Sequence, residues 1–371
     1  MNSRVTLEID LAKIEDNFHV IAAAAAPLGV IAVLKADAYG LGVQPIAETV
    51  ARAGAAAIAV AELSEALAVV HLGLPVLMLG TVLPDEIEEA LRAGVRIPVA
   101  GLEEARAISA AAARLGVAAR CHIALDTGMG RIGVQLREAL EVAPRVAELP
   151  CVVIEGVYSH FPSASNVHDP ISGEQVEGFK ALAAALRAEG LDVPWLHIAN
   201  SDGINNVAAA LKPPFTHVRT GLNLYGLFDN DGAKALDIKP VLAMKARLAQ
   251  VRTLAAGDTI GYGRTFACPR AMRVGTVAAG YADGLPLALS NRGALLIRGR
   301  LCPVVGRVSM DYTTVALDQC DEAQAGDEVF CVGGDFANAI PVSAWAAAKG
   351  THPYEVICSI GRRVERRHFR K

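Results

Sequence analysis

A lysine directly follows a short apolar run near the start of the chain. Lys35 comes after VIAVL at residues 30–34 and opens the segment KADAYG. A lysine held at the end of a buried strand can serve as a Schiff-base amine or as a general base. The competing interpretation is a lysine that extends its ammonium group into solvent, which exposure statistics favour for a lone lysine.

Other polar side chains follow later apolar runs in the same way. They are Asp126 with Arg131, His160, Asn200 with Ser201, and Arg219 with Gly221. Tyr39 and the glycines after it indicate a backbone that closely approaches a ligand, although glycines also end strands. Ser201, Gly221 and Leu222 fit a phosphate site, and Ser201 and Gly221 fit an N-cap and a turn equally well. His197 is more typical of a hydrogen-bonded structural histidine than of a catalyst.

These residues need an architecture that gathers strand ends at one place. Eight apolar runs alternate with Ala-, Glu- and Leu-rich stretches: VIAVL (30–34), AAIAVA (56–61), PVLMLG (75–80), RIPVAG (96–101), ARCHIALD (119–126), VVIEGVYSH (152–160), WLHIAN (195–200) and THVRTG (216–221). This alternation predicts an α/β fold, a (β/α)8 TIM-type barrel whose strand ends converge on one mouth. A doubly wound sheet is the alternative.

The pattern changes after residue 240. Segments such as LAMKARLAQVRTL and DEVFCVGG are short alternating strands with glycine-containing breaks. We therefore expect a barrel over residues 1–235 and a mostly β domain over residues 236–371. VTLEI at residues 5–9 also alternates, so residues 1–10 form a candidate strand of the far domain, with Asp10 as a cap for the first helix.

Composition excludes several classes of function. A formal charge of −4 over 371 residues is too small to attract nucleic acid or an anionic membrane. The seven cysteines are scattered without a CxxC pair, which argues against a disulfide framework and against a metal site. The N-terminal residues MNSRVTLEID contain no apolar signal core, and no apolar run approaches the length of a membrane span. We expect a cytoplasmic protein with a small-molecule partner.

Several longer motifs resemble one family, the alanine racemases, essentially from end to end. The motifs are AVLKADAYGLG (32–42), LDTGMGRIG (125–133), YSHF (158–161), HIANSDGI (197–204), RTGLNLYG (219–226), IGYGRTF (260–266), AGYADGLP (279–286), VGRVSMD (305–311) and PYEVICSIGRRVER (353–366). The resemblance implies an isomerase that uses pyridoxal 5′-phosphate (PLP) to interconvert L-alanine and D-alanine. Such an enzyme supplies D-alanine for peptidoglycan or feeds alanine catabolism.

The resemblance also implies a role for each candidate residue near the cofactor. Lys35 holds PLP and moves a proton on one face of the substrate Cα, and Tyr262 moves it on the other face. Arg219 faces the pyridine nitrogen with His197 behind it, while His160 packs near the ring. The remaining cofactor contacts implied by resemblance are Tyr39, Ser201, Gly221, Leu222 and Tyr354.

Substrate contacts and the subunit arrangement follow from the same resemblance. Arg131 and the backbone amide of Met310 match contacts to the substrate carboxylate, Tyr281 matches an entrance residue, and Asp311 is a supporting residue. Taken alone, Tyr262 would be a tyrosine in a glycine-flanked turn, and Met310 would be core filler. In this family the C-terminal residues reach the partner's barrel, which implies an obligate homodimer with Tyr262, Tyr281 and Met310 acting in trans.

Racemisation explains why two proton-moving groups are needed. A single base would return the proton to the face it left, giving exchange without inversion. An arginine at the pyridine nitrogen stays protonated, so it donates a hydrogen bond there rather than a proton. We expect this arrangement to disfavour side reactions such as transamination.

Two positions depart from the family's pattern and bear on substrate range. Many members carry a modified lysine that orients the arginine of DTGMGR, where this chain has Ala124. Arg131 then needs another orienting group, such as a bound anion. Asp202 and Gly203 replace the usual alanines after ANS. A carboxylate beside a phosphate is unfavourable unless it caps its helix or meets an arginine or lysine.

Other functions remain to be weighed against alanine racemisation. A racemase of serine or of broader specificity is the nearest alternative. A PLP-dependent decarboxylase would place a carboxylate near the pyridine nitrogen, where this chain has Arg219. A single-barrel PLP carrier would need neither a second domain nor the GYGRT segment.

Overall fold

The computed structural model describes residues 4–229, 234–334 and 337–371. The chain divides into two compact units, Ile14–Lys239 and Pro240–Lys371, and the second unit also contains the N-terminal residues through Lys13. The strands are β1 (Thr6–Asp10), β2 (Gly29–Val33), β3 (Ala57–Val60), β4 (Val76–Met78), β5 (Ile97–Val99), β6 (Ala119–Asp126), β7 (Val134–Gln135), β8 (Val152–Tyr158), β9 (Trp195–His197), β10 (His217–Thr220), β11 (Leu242–Leu254), β12 (Thr259–Ile260), β13 (Phe266–Ala267), β14 (Met272–Val277), β15 (Ala294–Ile297), β16 (Arg300–Pro303), β17 (Thr313–Ala316), β18 (Glu328–Val332) and β19 (Glu365–Phe369).

Helical segments connect most of the strands of the first unit. The helices are α1 (Leu11–Ala25), α2 (Lys35–Gly40), α3 (Val43–Arg52), α4 (Leu63–Val69), α5 (Ile87–Arg92), α6 (Leu102–Leu115), α7 (Ala139–Ala147), α8 (Ile171–Ala188), α9 (Ser201–Asn206), α10 (Val342–Lys349) and α11 (Pro353–Cys358). The barrel strands are short and apolar because both of their faces are buried; all four residues of β3, for example, are fully buried.

Parallel strands of the first unit close into a barrel. Hydrogen-bonded ladders run in the orders β10-β2-β3-β4 and β5-β6-β8-β9. One seam between them is joined by Met78 N, which donates to Arg96 O at 3.0 Å, and the other by Thr216 N, which donates to Leu196 O at 2.9 Å. The eight predicted runs are the eight strands of this barrel. The (β/α)8 prediction is confirmed, and the doubly wound alternative is wrong.

The second unit is built around an extended sheet. Its strand order is β16-β15-β18-β11-β1-β19, and β14 pairs with both β11 and β17. Ile9 of β1 pairs with Leu242 in the antiparallel sense and with His368 in the parallel sense. Asp10 Oδ1 accepts a hydrogen bond from Ala12 N at 3.0 Å, which confirms it as the cap of α1. The mostly β prediction is confirmed, whereas α10 and α11 were not anticipated.

The described residues contain neither a candidate membrane span nor a candidate metal-binding cluster. No helix in this part of the chain is long and apolar enough to cross a membrane. No group of three or more His, Cys, Asp or Glu side chains among the same residues is arranged to hold a metal ion.

A buried asparagine joins the first helix to two later segments of the barrel unit. The side-chain amide of Asn17 donates to Leu224 O at 3.0 Å and to Lys239 O at 2.9 Å. Its carbonyl oxygen accepts from Lys239 N at 2.7 Å. These three bonds hold α1 to the chain that follows the last barrel strand.

Replacing Asn17 with alanine should therefore destabilise the protein by about 2–3 kcal/mol, because one buried and two partly buried backbone groups lose their partner. Urea denaturation of the Asn17→Ala variant measures the change in the free energy of unfolding. The neighbouring Asp16 is exposed, so Asp16→Ala should stay within about 0.5 kcal/mol of wild type. Equal unfolding free energies for both variants would contradict this role for Asn17.

Candidate active site

The barrel mouth gathers the polar residues that follow the strands of the first unit. Lys35, Arg131, His160 and Ser201 lie beyond the carboxyl ends of β2, β6, β8 and β9, and Arg219 lies in β10. The pKa of His160 falls to about 3, mainly through burial. The charges of Arg219, Arg131 and Lys35 also lower this pKa, which shows that the four side chains share one electrostatic environment. His160 is therefore a neutral imidazole at any working pH.

The backbone after Lys35 forms a left-handed turn. Ala36, Asp37, Ala38 and Tyr39 have φ angles between 53° and 61°. Left-handed conformation costs an L-residue about 1–2 kcal/mol, so four in succession need support from their surroundings.

Two carboxylates provide that support. Glu65 accepts hydrogen bonds from Ala36 N at 2.5 Å and from Ala61 N at 2.8 Å. Asp37 Oδ1 accepts from Val43 N at 2.7 Å. The sequence contains no local signal for this turn, because the nearest glycines are at residues 40 and 42, after the left-handed residues. Without a signal for the turn, the sequence also gives no reason to single out Glu65 as its support. Lys35 and Tyr39 are thus carried by a rigidly held segment.

Tyr39, Ser201 and Gly221 meet at the point predicted for a phosphate. Gly221 N donates to Ser201 Oγ at 3.0 Å. A Cβ on Gly221 would lie 2.2 Å from the hydroxyl oxygen of Tyr39, so only glycine fits there. Asn200 is the N-cap of α9, since its Oδ1 accepts from Gly203 N at 2.8 Å. The interpretation of Ser201 as an ordinary N-cap is therefore wrong. The neighbouring Leu222 is buried.

Arg219 is buried at the centre of a dense set of acceptors. Its Nη1 donates to His197 Nδ1 at 2.7 Å and to His197 O at 3.1 Å. Its Nη2 is bonded to Ser159 O at 2.6 Å, Ile198 O at 3.1 Å and His160 Nδ1 at 3.2 Å. The Nε–H bonds to no atom of the described residues. Four of the five guanidinium protons are committed, and one remains available to a ligand.

Burial also sets the charge states around Arg219. It lowers the pKa of Arg219 to about 10, so the guanidinium stays charged near neutrality. It lowers the pKa of His197 well below the ordinary value, and the nearby charge of Arg219 acts in the same direction. The partner of the buried cation is thus a neutral imidazole.

Arg131 lacks the orienting group that the family's modified lysine supplies. Its side chain is exposed and makes no hydrogen bond or ion pair within the described parts of the chain. Ala124 is buried and contributes only a methyl group. Asp126 instead shapes the loop between them, since its Oδ1 accepts from Gly128 N and Gly130 N, both at 3.0 Å.

The carboxylate of Asp202 neither caps its helix nor faces an arginine or a lysine. Asn200 occupies the cap position of α9. Burial, and then the charge of Asp229, raises the pKa of Asp202 to about 6. Its electrostatic neighbour is another carboxylate rather than an arginine or lysine, so its charged form is destabilised in the folded protein.

The remaining candidates lie in the second unit. Tyr262 is at the tip of the β12–β13 hairpin, between Gly261 and Gly263, and its side chain is 73% exposed. Tyr281 and Met310 are 46% and 52% exposed. Tyr354 lies in α11. The structure therefore places these residues on a different unit from Lys35 and Arg219.

Arg363 holds the loops that carry Tyr281 and Met310. It donates to both carboxylate oxygens of Asp283 at 2.7 and 2.9 Å, and to Asp311 Oδ1 at 2.7 Å. Ser309 O and Met310 O accept from Tyr281 N and Ala282 N at 3.0 and 3.1 Å. Asp311 was predicted as a supporting residue, whereas Asp283 and Arg363 were not singled out.

Comparisons with known proteins agree over the whole chain. The family described as "Alanine racemase, N-terminal domain" matches residues 9–229, and "Alanine racemase, C-terminal domain" matches residues 241–368. A curated relative, the alanine racemase of Halothermothrix orenii, is 37% identical over 380 residues, which cover 100% of this chain and 99% of the relative.

Solved structures give the same result. Alanine racemase of Clostridium difficile 630 superposes with a TM-score of 0.93 at 28% identity, covering 100% of this chain and 97% of the other. Alanine racemase from Bartonella henselae with covalently bound pyridoxal phosphate superposes with a TM-score of 0.88 at 28% identity, covering 99% and 100%.

The raised pKa of Asp202 predicts that removing this carboxyl group stabilises the protein at high pH and not at low pH. Because the folded pKa of about 6 exceeds the ordinary value of 3.8, this carboxyl costs stability as the pH rises through about 6 and costs none below about 4. Asp202→Asn should therefore unfold at a higher temperature than wild type at pH 8 and at the same temperature at pH 4.

Differential scanning calorimetry across this pH range measures the effect. Asp192→Asn is the matched control, because the Asp192 side chain is 75% exposed and its removal should leave no such pH trend. If Asp202→Asn gains no stability at pH 8, the claim that the charged form of Asp202 destabilises the folded protein is wrong.

Proposed function

The chain belongs to the alanine racemase family, and on that premise we propose that Lys35 and Tyr262 move the α-proton of alanine on opposite faces of its Cα. The reaction is the interconversion of L-alanine and D-alanine, which makes the protein an isomerase. The residue roles in this reaction are part of the proposal.

The barrel mouth fits PLP as the resident cofactor. The observation that carries this assignment is the single open Nε–H of Arg219, which suits the unprotonated nitrogen of a pyridine ring. Ser201, Tyr39 and the glycine-only position 221 supply hydroxyl groups and close backbone approach for a phosphate. Leu222 and Tyr354 complete the proposed set of phosphate contacts, and Lys35 supplies the amine for covalent attachment.

When bound, PLP supplies an electron-withdrawing ring that stabilises the carbanion left by removal of the α-proton. The protein residues do the rest. The Lys35 amine accepts or returns the proton on one face, and the Tyr262 phenol does so on the other. Arg219 would donate a hydrogen bond to the ring nitrogen and keep its own proton, since its pKa of about 10 lies well above neutrality. Neutral His160 packs beside Arg219 without adding charge.

Substrate recognition is assigned to one residue of the barrel and to residues that act in trans. We assign the substrate carboxylate to Arg131 and to the Met310 backbone amide, and the entrance to Tyr281. The clamp of Arg363 on Asp283 and Asp311 supports this assignment, because it fixes the loop that presents the Met310 amide.

A homodimer with residues acting in trans is the proposed working form. The exposed side chains of Tyr262, Tyr281 and Met310 lie in one unit, and uncovered apolar surface of this kind marks an interaction site. We further propose a cytoplasmic location, where the seven cysteines, which form no disulfide in the structure, stay reduced.

A Tyr262→Phe variant tests the two-base route. It should racemise alanine at least about 100-fold more slowly, because one of the two proton-moving groups is lost. It should still exchange the α-proton of one enantiomer with D2O, since Lys35 remains. Proton NMR of L-alanine and D-alanine in D2O, followed by chiral chromatography, measures both quantities.

The matched control for this variant is Tyr312→Phe, another exposed tyrosine of the same unit. It should behave as wild type. Racemisation by Tyr262→Phe at the wild-type rate would rule out Tyr262 as the second proton-moving group.

Mixed dimers test whether Tyr262 acts in trans. As homodimers, Lys35→Ala should be inactive and Tyr262→Phe should racemise alanine at least about 100-fold more slowly than wild type. Co-expression under two affinity tags should yield mixed dimers that racemise alanine, because one site then combines an intact Lys35 with an intact Tyr262 from the partner.

The control pairs Lys35→Ala with a Lys35→Ala/Tyr262→Phe double variant, which should stay inactive in every combination. A mixed dimer of the two single variants without activity, despite bound PLP, would show that both residues act within one chain.

A further inference from the structure

A row of polar side chains extends from Arg219 through the buried His197 and His122 to the partly buried Glu155. His197 Nε2 lies 3.2 Å from His122 Nδ1, on the side of His197 opposite to Arg219. His122 Nε2 faces Glu155 Oε2 at 3.7 Å, which is an electrostatic contact rather than a hydrogen bond. His122 and His197 are both buried. The proposed function uses neither His122 nor Glu155.

The hydrogen-bonding chemistry of arginine determines which nitrogen of each histidine carries the proton. A guanidinium only donates hydrogen bonds, so His197 Nδ1 must be an acceptor and the proton of this ring must be on Nε2. That Nε2–H points at His122 Nδ1, which must then accept, leaving the His122 proton on Nε2 towards Glu155. Burial lowers the pKa of both histidines, so both rings are neutral.

The far end of the row is a fixed carboxylate. Glu155 accepts from Arg96 Nε at 2.9 Å and from Arg120 Nη1 at 3.1 Å. The facing His122 ring, and then Arg96, lower the pKa of Glu155 to about 2. Glu155 therefore stays charged, and its negative charge 3.7 Å from His122 Nε2 favours a proton on that nitrogen.

The backbone is shaped to accommodate these side chains. In the β6–β8 ladder Cys121 pairs with Ile154 and His122 pairs with Gly156, so Glu155 is an extra residue at a β-bulge. A Cβ on Gly156 would lie 2.3 Å from His122 Nδ1. The bulge at Glu155 and the missing side chain at Gly156 are two separate features that leave room for the His122 ring.

We propose that His122 and Glu155 are positioning residues for Arg219. Glu155 holds His122 in its Nε2–H tautomer, His122 accepts the proton of His197 Nε2, and His197 thereby keeps its Nδ1 lone pair directed at the guanidinium. The open Nε–H of Arg219 is held in one direction as a result. The inference rests on the proposed function in assigning that Nε–H to a pyridine nitrogen.

Tautomers provide a test that is independent of activity. Nitrogen-15 NMR of the full-length protein labelled in histidine, with and without PLP, should show His122 and His197 as neutral Nε2–H tautomers near pH 7. The spectrum of a His122→Asn variant identifies the His122 signals. A protonated ring or an Nδ1–H tautomer at either residue would overturn the proposal. If the wild-type protein does not racemise alanine, that result counts against the proposed function. The tautomers of His122 and His197 are measured independently of it.

Steady-state kinetics distinguish a positioning role of His122 from a role in packing alone. Asparagine places an amide oxygen near the position of His122 Nδ1, whereas leucine offers no acceptor. His122→Leu should lower kcat at least about tenfold with little change in the KM for alanine, and His122→Asn should restore most of the loss. Wild-type kcat in His122→Leu would overturn the proposal, and so would equal losses in both variants.

Glycine variants check the same geometry without touching a polar group. Gly156→Ala should mimic His122→Leu and shift the NMR signals of His122, because the new methyl group displaces the ring. Gly173→Ala in α8 is the matched control, since a Cβ there meets no atom within 4 Å. Gly156→Ala with wild-type kcat and unshifted His122 signals would overturn the placement of His122.

Discussion

The buried charge of Arg219 is the constraint on which the barrel mouth depends. A guanidinium removed from water costs several kcal/mol unless its protons find acceptors. No carboxylate among the described residues bonds to it, and the acceptors are instead the His197 and His160 rings and the carbonyl groups of Ser159, His197 and Ile198. Those groups lie at the carboxyl ends of β8 and β9, the parallel strands on one side of β10, so strand packing brings them around the Arg219 side chain. Because every acceptor is neutral, the mouth keeps a positive charge that suits an anionic ligand.

The same constraint accounts for the neighbouring histidines. A protonated His160 or His197 would add a second positive charge beside Arg219, and burial with that repulsion keeps both pKa values low. Backbone strain lies after the neighbouring strand β2, where four left-handed residues follow Lys35. The carboxylate of Glu65 holds that turn through two backbone N–H groups. Rigid supports therefore lie behind both the amine and the guanidinium, and the chemistry can rely on a preorganised site.

Much of this arrangement could be predicted from sequence, for identifiable reasons. Lys35, His160, Ser201 and Arg219 each sit at the end of an apolar run, and a parallel barrel must bring such ends together. Tyr262 and Met310 lack any local pattern of that kind, so only the family resemblance singled them out. Glu65 and Ala36 are 29 positions apart, and the bulge that accommodates His122 and Glu155 depends on strand register. Such contacts between distant residues leave no periodic signal. The carboxylate of Asp202 was noticed as unusual, but its electrostatic partner Asp229 could not be guessed from spacing.

Chiral chromatography of a panel of L-amino acids incubated with the PLP-loaded protein tests the central claim most directly, with Lys35→Ala as the blank. The account predicts D-alanine as the dominant product of the wild-type protein and none from the variant. Preference for serine or another residue would keep the chemistry and implicate the changes at Ala124 and Asp202 in substrate choice. The absence of every D-enantiomer, despite bound PLP, would contradict the assignment of Lys35 and Tyr262 as the pair that inverts the α-carbon.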